Sequence, residues 1–268
     1  MDYSLKNNSL IYLENVNINY GSFNALANIN LEIQKGENWL ILGANGSGKS
    51  TLVKIFTNDL YPVSNGDFKK VFFGRERWDI FDLKNKFGII TDAIQNDFTR
   101  YSPNITTEDV VLSGFYSSLG VYKTHKFTAK QLQKAKDVLN YLGIYEVREK
   151  HVKTLSTGIL RRAIIGRSLI HDAEIFILDE PTVGLDLRAQ HDFIEIIRKL
   201  AENHTIILIT HKVEEIFPEI TNIALIKNKT IYKQGLKKDI LTSENLSDIF
   251  GINIELKEEN GKYSAKVY

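Results

Sequence analysis

The amino-acid sequence has no cysteine, only four prolines among its 268 residues, and no long hydrophobic run. Without cysteine, the chain has no disulfides, no thiolate metal ligands and no cysteine nucleophile. Its longest apolar pieces, such as IFIL and IIL, are strand-sized and far below the roughly 20 residues of a membrane-spanning helix. The first residues also lack the apolar core of a signal peptide. We therefore expect a soluble protein of a reducing compartment, which acts at a membrane only through a partner.

An excess of charge of either sign is also missing. Lysine and arginine together number 34 and aspartate and glutamate 33, so the formal net charge is +1. This balance gives no support to capture of nucleic acid or of an anionic membrane by overall charge, although a local basic patch is compatible with it. Hydrophobic residues make up 43% of the chain, which is enough for a large buried core.

Short apolar segments alternate with helical segments over most of the chain. Two strands are predicted between Leu10 and Ile33, with a turn at Gly21 and Ser22. The later apolar runs WLIL, IFIL and IILIT alternate with helical stretches, which is the pattern of a parallel sheet covered by helices. The sequence thus predicts an α/β fold of mostly parallel sheet with an N-terminal antiparallel β subdomain.

The stretch GANGSGKS, Gly43–Ser50, matches the phosphate-loop pattern G-x-x-x-x-G-K-[ST] and lies between an apolar strand and a helix. Its glycines permit backbone conformations that turn consecutive N–H groups inward, and the helix N-terminus adds positive partial charge. Lys49 is expected to reach the β and γ phosphates, and the Ser50 hydroxyl to bind Mg²⁺. A P-loop NTPase core is therefore predicted. The residues expected to contact the nucleotide here are Gly43, Asn45, Gly46, Ser47, Gly48, Lys49, Ser50 and Thr51.

Two acidic residues end the apolar run IFIL. We expect Asp179 to hold Mg²⁺, directly or through water, and Glu180 to orient or deprotonate the attacking water. His211 ends the next apolar run, and a contact with the γ phosphate is expected if the two strands are neighbours. The catalytic residues predicted from the sequence are therefore Glu180, His211 and Lys49.

The middle of the chain reads as helix rather than strand. In TAKQLQKAKDVLNYLGI, apolar residues recur at helical spacing. We expect a helical lobe at about residues 98–170, inserted into a core domain that covers residues 1–238. Residues 239–268 are predicted to add a short helix and a β-hairpin that turns at Asn260 and Gly261.

Four motifs occur in the order GANGSGKST, LSTGILRR, IFILDEPTVGLD and LITH. With this set, the chain resembles an ABC-type ATPase from about Leu10 to Gly235. In that family, a Leu-Ser-Gly-Gly-Gln element opens a helix of the inserted lobe and contacts ATP held by the phosphate loop of a second subunit. The resemblance implies a Mg²⁺-dependent ATP hydrolase that forms an ATP-dependent homodimer.

The sequence departs from the family element at two positions, since Thr157 and Ile159 stand where the family has Gly and Gln. Ser156 and Gly158 are retained, and a hydroxyl and a backbone N–H at a helix start suit a γ phosphate. We therefore expect an active site with altered nucleotide affinity.

Further site residues follow from the resemblance alone. It implies that Tyr20 stacks on adenine and that Asp186 contacts the second subunit, although Asp186 also suits a helix N-cap. The family's metal-binding glutamine follows an apolar strand. Here Asp92 occupies the counted position and Gln95 lies three residues later, so either residue is a candidate metal ligand.

TTEDVVLSGFYSSLGVY, Thr106–Tyr122, and LTSENLSDIFGINIEL, Leu241–Leu256, loosely resemble segments of metal-chelate and siderophore importers, and the altered glutamine loop resembles that of molybdate importers. These likenesses imply the nucleotide-binding subunit of an importer whose membrane permease is a separate chain. The resemblance implies a cytoplasmic location on the inner face of the membrane and a solute-binding protein as a further partner, with no nucleic acid. Aromatic residues are candidates for lining the groove that receives the permease, but aromatics in such a lobe are more often core, so only some of them are docking residues. The candidates are Phe98, Tyr101, Phe115, Tyr116 and Tyr122. The alternative is a soluble ABC ATPase that acts on ribosomes or nucleic acid.

Overall fold

A computed structural model describes residues 8–62 and 67–268. The chain divides into two compact units, one made of residues 1–80 and 201–268 and the other of residues 81–200. No helix in the described ranges is long and apolar enough to cross a membrane.

The first unit begins with an antiparallel sheet. Strands β1 (Ser9–Tyr20) and β2 (Phe23–Gln34) pair around a turn at Gly21 and Ser22, as predicted, and β1 also pairs with β4 (Lys69–Phe72). Alternate residues of the two long strands are buried, which is the pattern of a sheet with one face on the core.

The second sheet region of this unit is mostly parallel. Strand β3 (Trp39–Gly43) lies between β7 (Thr205–Thr210) and β8 (Asn222–Lys227), and β9 (Thr230–Leu236) pairs antiparallel to β8. All residues of β3 and β7 are buried, as expected of strands covered on both faces. Helix α1 (Lys49–Phe56) follows β3 and buries Leu52, Ile55 and Phe56.

The unit ends in helices α8 (Lys237–Ile240) and α9 (Ser243–Phe250) and the hairpin of β10 (Ile254–Glu259) and β11 (Lys262–Val267). Asn260 and Gly261 both have positive φ, 53° and 75°, because a two-residue hairpin turn needs left-handed backbone. The hairpin predicted at Asn260–Gly261 is therefore present.

The second unit contains the parallel pair β5 (Phe87–Ile90) and β6 (Ile175–Asp179). Its helices are α2 (Ile80–Lys86), α3 (Asp92–Tyr101), α4 (Thr107–Leu112), α5 (Ala129–Tyr141), α6 (Thr157–Leu169) and α7 (Leu187–Ala201). Capping boxes at Thr106 and Thr128 begin α4 and α5, and each satisfies backbone N–H groups that a helix start leaves unpaired.

The burial of two residues in this unit differs from the sequence prediction. Phe98, expected in a docking groove, is fully buried, and its ring lies 5.9 Å from the Arg167 guanidinium carbon. The expectation for Phe98 was therefore wrong. Leu132 lies on the predicted apolar face of α5 but is 44% exposed, whereas Ala135 and Leu139 are buried.

Candidate nucleotide-binding site

The phosphate loop lies in the first unit, between the buried strand β3 and the start of α1. Gly46 and Gly48 have φ of 78° and 114°, left-handed values that favour glycine. A Cβ on Gly48 would also lie 2.6 Å from Leu26 Cδ2, and one on Gly43 2.5 Å from the Ile226 carbonyl oxygen. The backbone angle therefore favours glycine at position 46, close packing favours it at position 43, and both favour it at position 48.

The Lys49 ammonium is held within this loop. Its Nζ donates to the carbonyl oxygens of Gly43 at 2.8 Å and Ala44 at 3.1 Å, and the residue is 6% exposed. The carbonyl oxygens fix the cation at one position, so the loop presents a placed positive charge together with its N–H groups.

The other residues of the motif differ in exposure. Asn45, Gly46 and Ser50 are exposed and Thr51 is half-buried, so these groups are accessible to a ligand. The Ser47 hydroxyl is instead buried, and no hydrogen-bond partner for it is found within the described ranges.

His211 follows directly on strand β7. In the parallel pairing of β3 with β7, Leu42 is the partner of Thr210, so the chain leaves both strands at the same edge of the sheet. Gly43 and His211 are the next residues along each strand. Because carboxyl ends of parallel strands are where ligands bind in such sheets, this register supports the predicted γ-phosphate contact of His211.

Tyr20 stands at the end of β1 and is 44% exposed. Its partner across the turn is Phe23, which is 58% exposed, so two exposed aromatic residues are paired at this end of the hairpin. Lys54 of α1 lies with its Nζ 5.9 Å from the Tyr20 ring centroid, which ties this end of the hairpin to the helix that follows the phosphate loop. The position suits stacking on a base, and Phe23 is a neighbour that the sequence did not reveal.

We expect Tyr20→Ala to weaken ATP binding about tenfold, because base stacking on an aromatic ring contributes about 1–3 kcal/mol. Tyr20→Phe keeps the ring and is expected to bind within about twofold of the parent. Titration with a fluorescent ATP analogue measures both. Tyr61→Ala is the matched control, since Tyr61 is an exposed tyrosine of the same unit whose ring lies 3.8 Å from Lys70 Nζ. Equal loss for Tyr20→Ala and Tyr61→Ala would contradict the assignment.

The acidic residues lie in the second unit. The first four residues of β6 are buried, and Asp179 and Glu180 become half-buried where the strand ends. Glu180 has φ of 49°, a left-handed value that costs a residue with a Cβ about 1–3 kcal/mol. Such strain persists only where surrounding contacts hold it, and it often marks functional residues.

Ser156 is the N-cap of α6, and its Oγ accepts a hydrogen bond from the Ile159 N–H at 3.4 Å. The residue is exposed, so the hydroxyl stands at an accessible helix N-terminus where an anion is favoured. A Cβ on Gly158 would meet Leu185 and Ala189 only at ordinary contact distances of 3.7 and 3.6 Å, so packing does not require glycine there.

Asp186 is the N-cap of α7, because its Oδ1 accepts from the Ala189 N–H at 2.8 Å. The N-cap role considered from the sequence is therefore present, and contact with a second copy stays a prediction.

Asp92 and Gln95 both lie in the first turn of α3, and both bind the same buried side chain. Arg161 donates from Nη2 to Asp92 Oδ1 at 2.6 Å and from Nε to Gln95 Oε1 at 3.0 Å. The sequence did not single out Arg161. The only signal was a charged residue among apolar neighbours on α6.

Comparisons with known proteins identify the family. The ABC transporter model matches residues 26–183, more than half of the chain. The chain is 30% identical over 256 residues to the uncharacterized ABC transporter ATP-binding protein YlmA of Bacillus subtilis, covering 92% of this chain and 93% of that protein. It is 31% identical over 228 residues to the zinc uptake system ATP-binding protein ZurA of Listeria innocua, covering 84% and 85%.

A solved structure agrees with this result. The chain matches cbiO1 from Clostridium perfringens, part of the ABC transporter complex cbiONQ, with a TM-score of 0.75 and 25% identity over 90% of this chain and 94% of that one. The protein belongs to the ABC transporter family. It is an ATP-binding subunit of that class with the P-loop ABC ATPase fold, so the family and fold predictions are confirmed and its chemistry is ATP hydrolysis.

Proposed function

We propose that this subunit binds and hydrolyses ATP to power import of a metal chelate or an oxyanion through a separate membrane permease. The observation that carries the ATP-dependent part is the Lys49 ammonium, fixed by two carbonyl oxygens inside a loop where a Cβ on Gly43 or Gly48 would collide with its neighbours. ABC ATP-binding subunits work with membrane permeases, and the relative named for zinc uptake supports import and a metal-containing cargo.

The chemistry assigns separate tasks to the side chains. The loop N–H groups and Lys49 bind the phosphates, and His211 contacts the γ phosphate. Glu180 accepts a proton from the water whose oxygen attacks the γ phosphorus, while the bond from that phosphorus to the ADP oxygen breaks and ADP leaves.

Two predicted metal ligands, Ser50 and Asp179, suit magnesium, because a hydroxyl and a carboxylate are the hard oxygen ligands that Mg²⁺ prefers. When bound, Mg²⁺ neutralises charge on the phosphate oxygens. We infer that Ser50 and Asp179 are the residues that hold it.

A second copy of the chain completes the site in this proposal. Ser156 and the Gly158 N–H, at an accessible helix start, cap the γ phosphate that the partner's loop holds, and Asp186 contacts the partner. ATP then links the two copies, so nucleotide binding and dimer formation strengthen each other.

The permease partner is expected at an exposed aromatic surface of the second unit. Tyr101, Tyr116 and Tyr122 are 65%, 43% and 57% exposed. Tyr116 stacks on His125 with ring centroids 3.9 Å apart. Amphipathic rings of this kind are enriched where proteins dock. We place the subunit in the cytoplasm, on the inner face of the membrane, with a solute-binding protein on the opposite side.

Purification of the tagged protein from detergent-solubilised membranes tests this function. We expect an integral membrane protein to co-purify, and the reconstituted complex to hydrolyse ATP faster when a metal chelate or an oxyanion is supplied with the solute-binding protein. Tyr122→Ala is expected to weaken co-purification while the isolated subunit still hydrolyses ATP. Co-purification of ribosomes or nucleic acid instead of a membrane protein would contradict the transport role.

A further inference from the structure

Arg161 is a cation in the interior of the second unit. It is 3% exposed and lies on α6 beside the buried residues Leu160, Ile164 and Ile165. Burial of a charge costs free energy unless the charge is paired and its donors are hydrogen-bonded. A guanidinium at this position therefore has to be held by acceptors from the surrounding segments.

The acceptors come from two segments that are far apart in sequence. Asp92 Oδ1 and Gln95 Oε1, in the first turn of α3, accept at 2.6 and 3.0 Å. The Pro181 carbonyl oxygen accepts from Nη1 on another side of the guanidinium. Since the guanidinium is planar and rigid, its three hydrogen bonds fix the α3 start, α6 and the turn after β6 relative to one another.

Pro181 directly follows the strained residue. Glu180 has φ of 49° and depends on its neighbours to hold that conformation. The carbonyl group of the next residue is bound by Arg161, so the position of the guanidinium constrains the direction in which the Glu180 carboxylate leaves the strand.

The sequence also made Asp92 a candidate metal ligand, and the contacts of its carboxylate can be compared with that role. Its Oδ1 is bound to a cation at 2.6 Å, a charge-assisted pair between residues 69 positions apart. This contact places the negative charge of Asp92 beside the buried guanidinium, where it balances the charge of Arg161.

We propose that Arg161 is a positioning residue for Glu180 and that Asp92 acts as its anionic partner instead of as a magnesium ligand. This inference rests on the proposed role of Glu180 in activating water. Where the family has a neutral metal-binding glutamine, after β5, this chain has Asp92. In this proposal, the ion pair of Asp92 with Arg161 connects the start of α3 to the turn beside Glu180.

The first test is Arg161→Lys, which keeps the positive charge but replaces the planar guanidinium and its several donors with a single ammonium group. We expect kcat for ATP hydrolysis to fall about 10- to 100-fold, since a misplacement of about 1 Å costs this much. KM and the affinity for a fluorescent ATP analogue stay within about twofold, because the phosphate loop is untouched. A partly unfolded sample would also lower the apparent kcat at constant KM, so kcat is calculated per ATP-binding site, counted in the titration with the fluorescent analogue. A lower kcat per binding site is the signature of positioning.

Arg162→Lys is the matched control. Arg162 is the next residue of α6, is 20% exposed at its side chain, and pairs with Asp192 at 3.5 Å. We expect kcat within about twofold of the parent, since surface ion pairs contribute little. Equal kcat values for the Arg161 and Arg162 variants would overturn the proposal.

The Asp92 part is tested with Asp92→Asn, which keeps an acceptor oxygen but removes the charge. Binding of Mn²⁺, a magnetic substitute for Mg²⁺, to the ATP-loaded protein is measured by electron paramagnetic resonance. We expect unchanged Mn²⁺ affinity, a lower kcat, and no further loss of kcat when Asp92→Asn is added to Arg161→Lys. Weaker Mn²⁺ binding in Asp92→Asn would identify Asp92 as a metal ligand and overturn this part.

Further variants distinguish the outcomes. If Glu180→Gln leaves turnover intact, the proposed role of Glu180 fails, and the inference that rests on it fails too. If Glu180→Gln abolishes turnover while Arg161→Lys matches the parent, only the present inference fails. If Arg161→Lys lowers Tm so far that the protein unfolds, Asp92→Asn decides, since its side-chain oxygen can still accept from the buried guanidinium and the Asp92 side chain is 54% exposed. A lower kcat per ATP-binding site at constant KM in Asp92→Asn supports the inference, and an unchanged kcat overturns it.

Discussion

Replacement of Glu180 by glutamine is expected to lower ATP turnover at least about 100-fold while ATP binding stays intact. General-base catalysis by a placed carboxylate contributes about 10²- to 10⁴-fold, and the amide cannot accept the proton of water. Glutamine has nearly the same shape and meets the same left-handed backbone at φ of 49°, so the loss reports on the proton acceptor and not on the fold. Phosphate release and fluorescent-nucleotide titration measure the two quantities.

Glu174→Gln is the matched control for this experiment. Glu174 lies just before β6 and pairs with Lys86 at 2.7 Å, with its side chain 32% exposed. Loss of this surface pair is expected to leave turnover within about twofold, since such pairs contribute at most about 1 kcal/mol. Turnover in Glu180→Gln close to that of Glu174→Gln would show that another residue, or water alone, accepts the proton.

Replacement of Ser156 by arginine is expected to abolish turnover while the single chain still binds ATP. The serine hydroxyl stands at an accessible helix start, and a long cationic side chain there would occupy the space that the partner's nucleotide needs. The phosphate loop lies elsewhere in the chain and is unchanged. In a Glu180→Gln background, light scattering should show an ATP-dependent dimer that the added Ser156→Arg substitution removes.

Thr128→Arg separates this effect from the loss of a helix cap. Thr128 caps α5 in the same unit and is also exposed, and loss of either cap costs about 0.5–2 kcal/mol of stability. We therefore expect both variants to show a lower Tm but only the Ser156 variant to lose turnover. Equal loss of ATP binding and turnover in Ser156→Arg would refute the capping role.

The sequence was sufficient for features whose residues are contiguous. The phosphate loop is one uninterrupted motif, and the apolar runs WLIL and IILIT form the buried strands β3 and β7. The turn at Gly21 and Ser22 and the turn at Asn260 and Gly261 were predicted because left-handed backbone selects few residue types.

The contacts of Arg161 were not predictable in the same way. Its partners on α3 are 66 and 69 positions away, and no local pattern encodes a contact at that separation. The sequence also left Asp92 and Gln95 as equal candidates for one position. The structure explains this, since residues three apart share one face of a helix and here bind the same guanidinium.

Phe98 shows the opposite error. An aromatic residue in a segment rich in exposed tyrosines was expected at the surface, yet it is fully buried. Composition alone did not distinguish it from Tyr101, three residues along the same helix and 65% exposed. Whether each side chain is buried or exposed depends on the direction in which it leaves α3, and that direction depends on how the helix packs.

The Arg161 guanidinium binds both α3 and the Pro181 carbonyl oxygen, and this has a mechanical consequence. If the start of α3 moves by the length of a hydrogen bond, the bond from Arg161 to Asp92 either breaks or pulls the guanidinium along. In the second case, the bond from Arg161 to the Pro181 carbonyl moves the turn beside Glu180. A force that displaces α3 would thus change the rate of ATP hydrolysis through the single rigid side chain of Arg161, and no strand would have to bend.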